Sequence, residues 1–190
     1  MELKGKTALV TGGASGLGRA TAERLHAAGM NILILDREGS DGAKVAAALG
    51  SNAAFEASDV TSAELVKKAV DAAVSRFGGL HAAINCAGVG TAARTLSKTG
   101  PMDLDLFKHV ITVNLVGTFN VCRLASEAIS RNTPNADGER GVLINTASIA
   151  AFDGQIGQVA YAASKGGIVS MALPMARDLM KNGIRVCTIA

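Results

Sequence analysis

The 190-residue chain has no tryptophan, one tyrosine (Tyr161) and only 3% aromatic residues, which leaves no stacking platform for nucleobases. Charge of one sign is missing as well. Nineteen Lys and Arg stand against 16 Asp and Glu, scattered along the chain for a net +3, so no basic stripe tracks a phosphate backbone. Nucleic acid is thereby set aside as a partner. Three cysteines, Cys86, Cys122 and Cys187, are odd in number, widely spaced and free of any CxxC pattern, so neither a disulfide framework nor a zinc site is expected. No apolar run reaches the roughly 18 residues of a membrane span. The opening MELKGKTALV enters a strand-like run at once, which predicts neither a cleaved signal nor an Arg-rich presequence. These absences predict a cytoplasmic protein in a reducing compartment, with no metal and no membrane attachment.

What is present is apolar and regular. Hydrophobic residues make up 48% of the chain and charged ones 18%, enough to bury a core, and the length fits one domain spanning residues 1–190. Glycine is abundant, at 22 residues against three prolines, which points to tight turns within regular structure. Short Val, Ile and Leu-rich runs at 6–11, 31–35, 53–57, 80–85, 141–147 and 184–189 read as strands. They alternate with helical stretches at 16–28, 40–49, 62–76, 103–130 and 158–181. Right-handed crossovers then build an α/β fold, an open, doubly wound parallel sheet of Rossmann type with helices on both faces. Residues 89–102 and 131–140 read as exposed loops, and the first, at a strand C-terminus, faces the ligand crevice.

Behind the first strand, Thr11-Gly12-Gly13-Ala14-Ser15-Gly16-Leu17-Gly18 opens directly into a helix. Glycines in that position let the backbone approach a pyrophosphate, whose charge the helix N-terminus stabilises. The glycine spacing matches neither a P-loop, because Arg19-Ala20 follows Gly18, nor a nucleophile elbow, because Gly13-Ala14-Ser15 continues as Gly16-Leu17. Asp36 ends the second strand, where a carboxylate accepts hydrogen bonds from ribose hydroxyls and repels a 2′-phosphate, so NAD is expected rather than NADP despite Arg37 beside it. Asp59-Val60 and Asn85-Cys86-Ala87-Gly88 follow the third and fourth strands on the same rim, although Asp59 taken alone reads better as a cap for the next helix.

Tyr161 and Lys165 lie four apart in a helical segment and share a face. A phenol is a poor base at neutral pH, but a nearby cation favours phenolate, and such a tyrosine can take an alcohol's proton while hydride leaves the same carbon. Ser148 follows the fifth strand, where its hydroxyl can hold the reacting oxygen. Asn114 sits inside the long fourth helix, where a helix interior gains nothing from an amide.

Taken together, Thr11-Gly12-x-x-x-Gly16-x-Gly18, Asp59, Asn85-x-Ala87-Gly88, Asn114, Ser148, Tyr161 and Lys165 resemble the short-chain dehydrogenase/reductase superfamily, over nearly the whole chain. The resemblance implies an Asn-Ser-Tyr-Lys tetrad: Tyr161 as acid/base, Ser148 orienting the reacting oxygen, Lys165 holding the nicotinamide ribose and Asn114 retaining a water of the proton relay. It places Gly12, Ser15, Gly16, Leu17, Gly18, Asp36, Asp59, Val60, Asn85, Cys86, Ala87, Gly88, Tyr161 and Lys165 at NAD. The stretches NLVGTFNVCRLA and NTASIAAFDGQIGQVAYAASKGGIV, with Cys86 in the NCAG turn, further resemble the type 2 3-hydroxyacyl-CoA dehydrogenase group, also described as 17β-hydroxysteroid dehydrogenase type 10. That implies NAD-dependent oxidation of a secondary alcohol, with Gln155 or Gln158 touching substrate, and a homodimer or homotetramer paired through the fourth and fifth helices. Hydroxysteroid dehydrogenase, 3-oxoacyl-carrier-protein reductase and a non-catalytic dinucleotide sensor are the alternatives. The resemblance also implies a seventh strand and a substrate lid beyond Ala190.

Overall fold

The computed structural model describes residues 1–190. Six parallel strands form its frame: β1 (Thr7–Thr11), β2 (Asn31–Asp36), β3 (Ala53–Ala57), β4 (Ala82–Asn85), β5 (Gly141–Thr146) and β6 (Ile184–Ile189). Their order is β3-β2-β1-β4-β5-β6. This is the doubly wound arrangement that the alternation of runs predicts. Helices α1 (Gly16–Ala27), α2 (Gly42–Leu49), α3 (Ala63–Phe77), α4 (Leu104–Ile111), α5 (Gly117–Ser130) and α6 (Val159–Leu179) link the strands.

Successive strand residues point to opposite faces, and both faces are buried, so the strands are apolar throughout. Leu9, Leu33, Leu35 and Leu143 pack with Val66 and Val70 of α3 and Val121 and Ile129 of α5 on one face. Val10, Ile32, Ile34 and Ile84 pack with Ala22 of α1 and Val45 of α2 on the other. Winding reverses between β1 and β4, so the connections that leave their C-terminal ends pass to opposite faces and leave a crevice. Thr11, at the end of β1, holds the two together: its Oγ1 accepts from the Cys86 N–H at 3.1 Å and the Ala87 N–H at 3.0 Å.

The segment expected as one helix over 103–130 is three elements. α4 ends at Ile111, a π-helical turn spans Thr112–Val116, and α5 begins at Gly117. The wider turn inserts a residue into the helical period and brings Asn114 fully inside, where its amide is hydrogen-bonded to neighbouring elements. The loop expected over 89–102 contains a small antiparallel hairpin, with Leu96–Ser97 paired to Gly100–Pro101. Strand β5 stops at Thr146, two residues before Ser148, which caps a 3₁₀ turn over Ile149–Ala151.

Candidate active site

The glycine turn runs from β1 into α1. Gly12 has φ +65°, and a Cβ there would lie 3.0 Å from the Ala87 nitrogen. At Gly18 a Cβ would lie 2.2 Å from the Gly12 carbonyl oxygen, so the first turn of α1 is packed directly on the glycine loop. At Gly16, by contrast, a Cβ would meet nothing within 4 Å. The turn is thus tight against the protein and open toward the crevice. Ser15 is the N-cap of α1, yet its hydroxyl makes no capping bond, and the first turn carries no acidic side chain. Free N–H groups, a free hydroxyl and a positive helix end are what a bound pyrophosphate requires. Gly18→Ala is expected to lower the thermal midpoint by about 3 °C or more, because an unyielding backbone contact forces the helix to shift. An unchanged calorimetric midpoint would contradict that packing.

Asp36 meets this loop from the end of β2. Its Oδ2 accepts from the Ala14 N–H and its Oδ1 from the Arg37 N–H, at 2.9 and 2.8 Å. Asp59 is exposed, and its Oδ1 accepts from both the N–H and the hydroxyl of Thr61. Ser62, not Asp59, caps α3. Val60 is fixed through its carbonyl, which accepts from the Asn120 amide at 2.8 Å. Gly12, Ser15, Gly16, Leu17, Gly18, Asp36, Asp59, Val60, Cys86, Ala87 and Gly88 all line one groove of about 460 Å³, together with His109 and Val113. That volume lies within the range of small-molecule and cofactor sites.

A second cavity of about 450 Å³ shares Leu17, Cys86, Gly88 and Val89 with this groove and continues it. It is lined by Ser148, Gln158, Tyr161 and Lys165. Four parts of the chain distant in sequence therefore converge at one end of the crevice. Lys165 is 94% buried, its Nζ donating to the Thr146 carbonyl at 2.7 Å and lying 5.6 Å from the centre of the Tyr161 ring. Burial pulls its ammonium below the ordinary lysine value of 10.5, with no carboxylate alongside to restore it. The half-buried Ser148 hydroxyl accepts from the Ala150 N–H at 3.2 Å, which leaves its own hydrogen free to donate into the cavity. Burial pushes the Cys86 thiol up, so it lines the junction of the two spaces as a neutral group.

Two expected site residues lie elsewhere. The Asn85 side chain is buried, its Nδ2 donating to the side-chain Oδ1 of Asn145 at 2.9 Å and facing Cys122 of α5 instead of the groove. Gln155 is exposed and outside the cavity lining, and its N–H donates to Oε1 of Gln158 at 2.9 Å. Asn114 reaches the site indirectly. Its Oδ1 accepts from the Val89 N–H at 2.7 Å, and its Nδ2 donates to the Val89 carbonyl at 2.9 Å and to the Ser164 hydroxyl at 3.0 Å. Thr146, Val89 and Ser164 are the partners the sequence reading missed. The first two act through backbone atoms, which leave no mark on a residue pattern.

The model of the family described as short chain dehydrogenase matches residues 6–190. The chain is 54% identical over 190 residues to the 3-hydroxyacyl-CoA dehydrogenase type-2 of Bos taurus, covering 99% of this chain and 73% of that protein. The Drosophila melanogaster protein of the same name is 52% identical, with 99% of this chain and 74% of that one covered. Among solved structures, the 3-hydroxyacyl-CoA dehydrogenase type-2 of Mycobacterium avium superposes with a TM-score of 0.95 at 43% identity, over 100% of this chain and 76% of that chain. A match over nearly the whole sequence, joined to a doubly wound sheet with Ser148, Tyr161 and Lys165 at one crevice, establishes that the chain belongs to the short-chain dehydrogenase family of oxidoreductases.

Proposed function

We propose that this protein is an NAD-dependent dehydrogenase acting on a secondary alcohol, with 3-hydroxyacyl-CoA as the favoured substrate class. One observation carries the reading: the glycine-turn groove runs into a cavity where Tyr161, Lys165 and Ser148 meet, so a dinucleotide lying along the first delivers its reactive end to the second. The open face at Gly16, the uncapped Ser15 and the Asp36 carboxylate suit an NAD molecule. When bound, the dinucleotide supplies the hydride acceptor. Ser148 donates a hydrogen bond to the alcohol oxygen and holds it against Tyr161. As the C3–H bond breaks, Tyr161 accepts the hydroxyl proton, and in reduction it returns one. The buried Lys165 ammonium favours the phenolate form of Tyr161, the form that can take up the alcohol proton. Gln158, whose side chain accepts from the Gln155 N–H and which lines the cavity, would touch substrate there. The names carried by relatives at about 50% identity favour the acyl-CoA over a steroid or an acyl-carrier protein.

Mixing the protein with NAD and, in turn, a 3-hydroxyacyl-CoA, a hydroxysteroid and a 3-hydroxyacyl-carrier protein tests this assignment. Fastest NADH formation with the acyl-CoA is expected. NADH binding without turnover on any alcohol would instead support a sensor. Cofactor choice is expected to rest on Asp36. Asp36→Ser removes the charge facing a 2′-phosphate, so NADPH affinity should rise roughly tenfold or more while NADH affinity falls, as read by cofactor fluorescence. An unaltered preference would remove Asp36 from that role.

Self-association through α5 and α6 belongs to the same reading. Val116 just before α5, Phe119 on α5 and Leu173 on α6 are 48, 50 and 57% exposed, apolar side chains that a partner subunit would cover. The mass by light scattering should be two or four times 19.2 kDa, and a 19.2 kDa particle at micromolar concentration would contradict it. Three free cysteines accord with a reducing, cytoplasmic setting.

A further inference from the structure

Between Tyr161 and Lys165 on the buried face of α6 lies Ser164, with no accessible surface. Its Oγ donates to the Tyr161 carbonyl at 2.7 Å and accepts from the Asn114 Nδ2 at 3.0 Å. Asn114 in turn grips Val89 through both its amide atoms, at 2.7 and 2.9 Å. A continuous line of hydrogen bonds therefore runs from the Val89 loop, which walls the cavity, through the π-turn to the first turn of α6, which bears Tyr161. We infer that Ser164 is a positioning residue for the dehydrogenase reaction, setting the register between Tyr161 and the loop against which the substrate and cofactor meet. The inference rests on the dehydrogenase reading given above.

The local sequence favours this over simple packing. Ala160, Ala162 and Ala163 surround the position, and alanine is both a better helix former than serine and small enough for a fully buried site. A serine that bonds back to the carbonyl three residues earlier competes with regular helix geometry. Asn114 does not need it for its main anchorage, which Val89 supplies. What the hydroxyl adds is a link between two elements. At Gly167 a Cβ would sit 2.6 Å from Leu115, so the π-turn and α6 are already in close contact one turn along. Close packing sets their separation, and the Ser164 bonds set the orientation of the turn carrying Tyr161. Misplacing a reacting group by about 1 Å costs on the order of a hundredfold in rate.

Ser164→Ala, Ser164→Thr and Tyr161→Phe, assayed with NAD and a short 3-hydroxyacyl-CoA, test the inference. Ser164→Ala is expected to lower kcat by roughly tenfold or more and to displace its pH profile. NAD affinity should stay within about twofold, because the glycine turn and Asp36 are untouched. Ser164→Thr, which keeps the hydroxyl, should recover most of the rate. In the cofactor-free protein the ring resonances of the only tyrosine should shift in Ser164→Ala and return in Ser164→Thr. Unchanged kcat in Ser164→Ala overturns the inference. So does a joint fall of kcat, NAD affinity and thermal midpoint that Ser164→Thr does not reverse, since that marks a structural prop. Should Tyr161→Phe keep its turnover, the dehydrogenase reading itself has failed; an inactive Tyr161→Phe beside a normal Ser164→Ala sinks the positioning role alone.

Discussion

Replacing Tyr161 by Phe is expected to reduce kcat by at least about a hundredfold, and up to 10⁴-fold, with the fold intact. The substitution removes one oxygen and nothing else. The ring is half buried and keeps its place over Lys165, so the thermal midpoint should move by no more than about 2 °C. On the proposed mechanism, what disappears is the group that exchanges a proton with the alcohol. Ser148 cannot replace it, because its hydroxyl already accepts from the Ala150 N–H and an aliphatic hydroxyl is a far weaker acid than a phenol. Steady-state turnover of a 3-hydroxyacyl-CoA with NAD reads the effect. Undiminished kcat in Tyr161→Phe would contradict the assigned chemistry.

Lys165→Met should lower kcat by about a hundredfold or more, and it carries a separate signature in stability. Methionine keeps much of the unbranched stem while removing a buried cation. The lysine's folded-state pKa lies below 10.5, so the unfolded chain binds the extra proton between the two values and stability rises with pH across that interval. The contribution of Lys165 is most favourable above 10.5 and is lost as pH falls through its depressed value. Unfolding free energies of parent and Lys165→Met, compared across the alkaline range, should therefore diverge in the parent's favour as pH increases. A flat difference, or one of opposite slope, would show that burial does not act on this ammonium in the folded protein. Losing the donor to the Thr146 carbonyl displaces the whole difference without giving it that slope.

The strands were legible because a parallel sheet buried on both sides admits only apolar residues, and the crossover rule gave the doubly wound arrangement but not the strand order. The glycine turn was legible for a similar reason: the close approach of Gly18 to the Gly12 carbonyl excludes a side chain, and that exclusion is written into the residue type. The long helix over 103–130 was not. Its apolar residues continue across the π-turn, and one inserted residue shifts the face without breaking the pattern. The available sign was Asn114 itself, an amide with no use in an ordinary helix interior, which proved to be fully buried and triply bonded. Asn85 erred the other way. Its place in the rim motif suggested the cofactor, but strand alternation turns its side chain toward α5 and leaves Cys86 facing the crevice. Gln158 and Gln155 could not be separated by spacing, since their difference arises in the turn before α6.

A 3-hydroxyacyl-CoA carrying deuterium at C3 tests the central claim most directly. Incubated with the protein and unlabelled NAD, it should yield the 3-oxoacyl-CoA and a reduced dinucleotide heavier by one mass unit, because in the proposed mechanism the hydrogen leaves C3 as hydride while the hydroxyl proton goes to Tyr161. Reduced dinucleotide without the label, or 3-oxoacyl-CoA without reduced dinucleotide, would contradict direct hydride transfer in the joined groove and cavity.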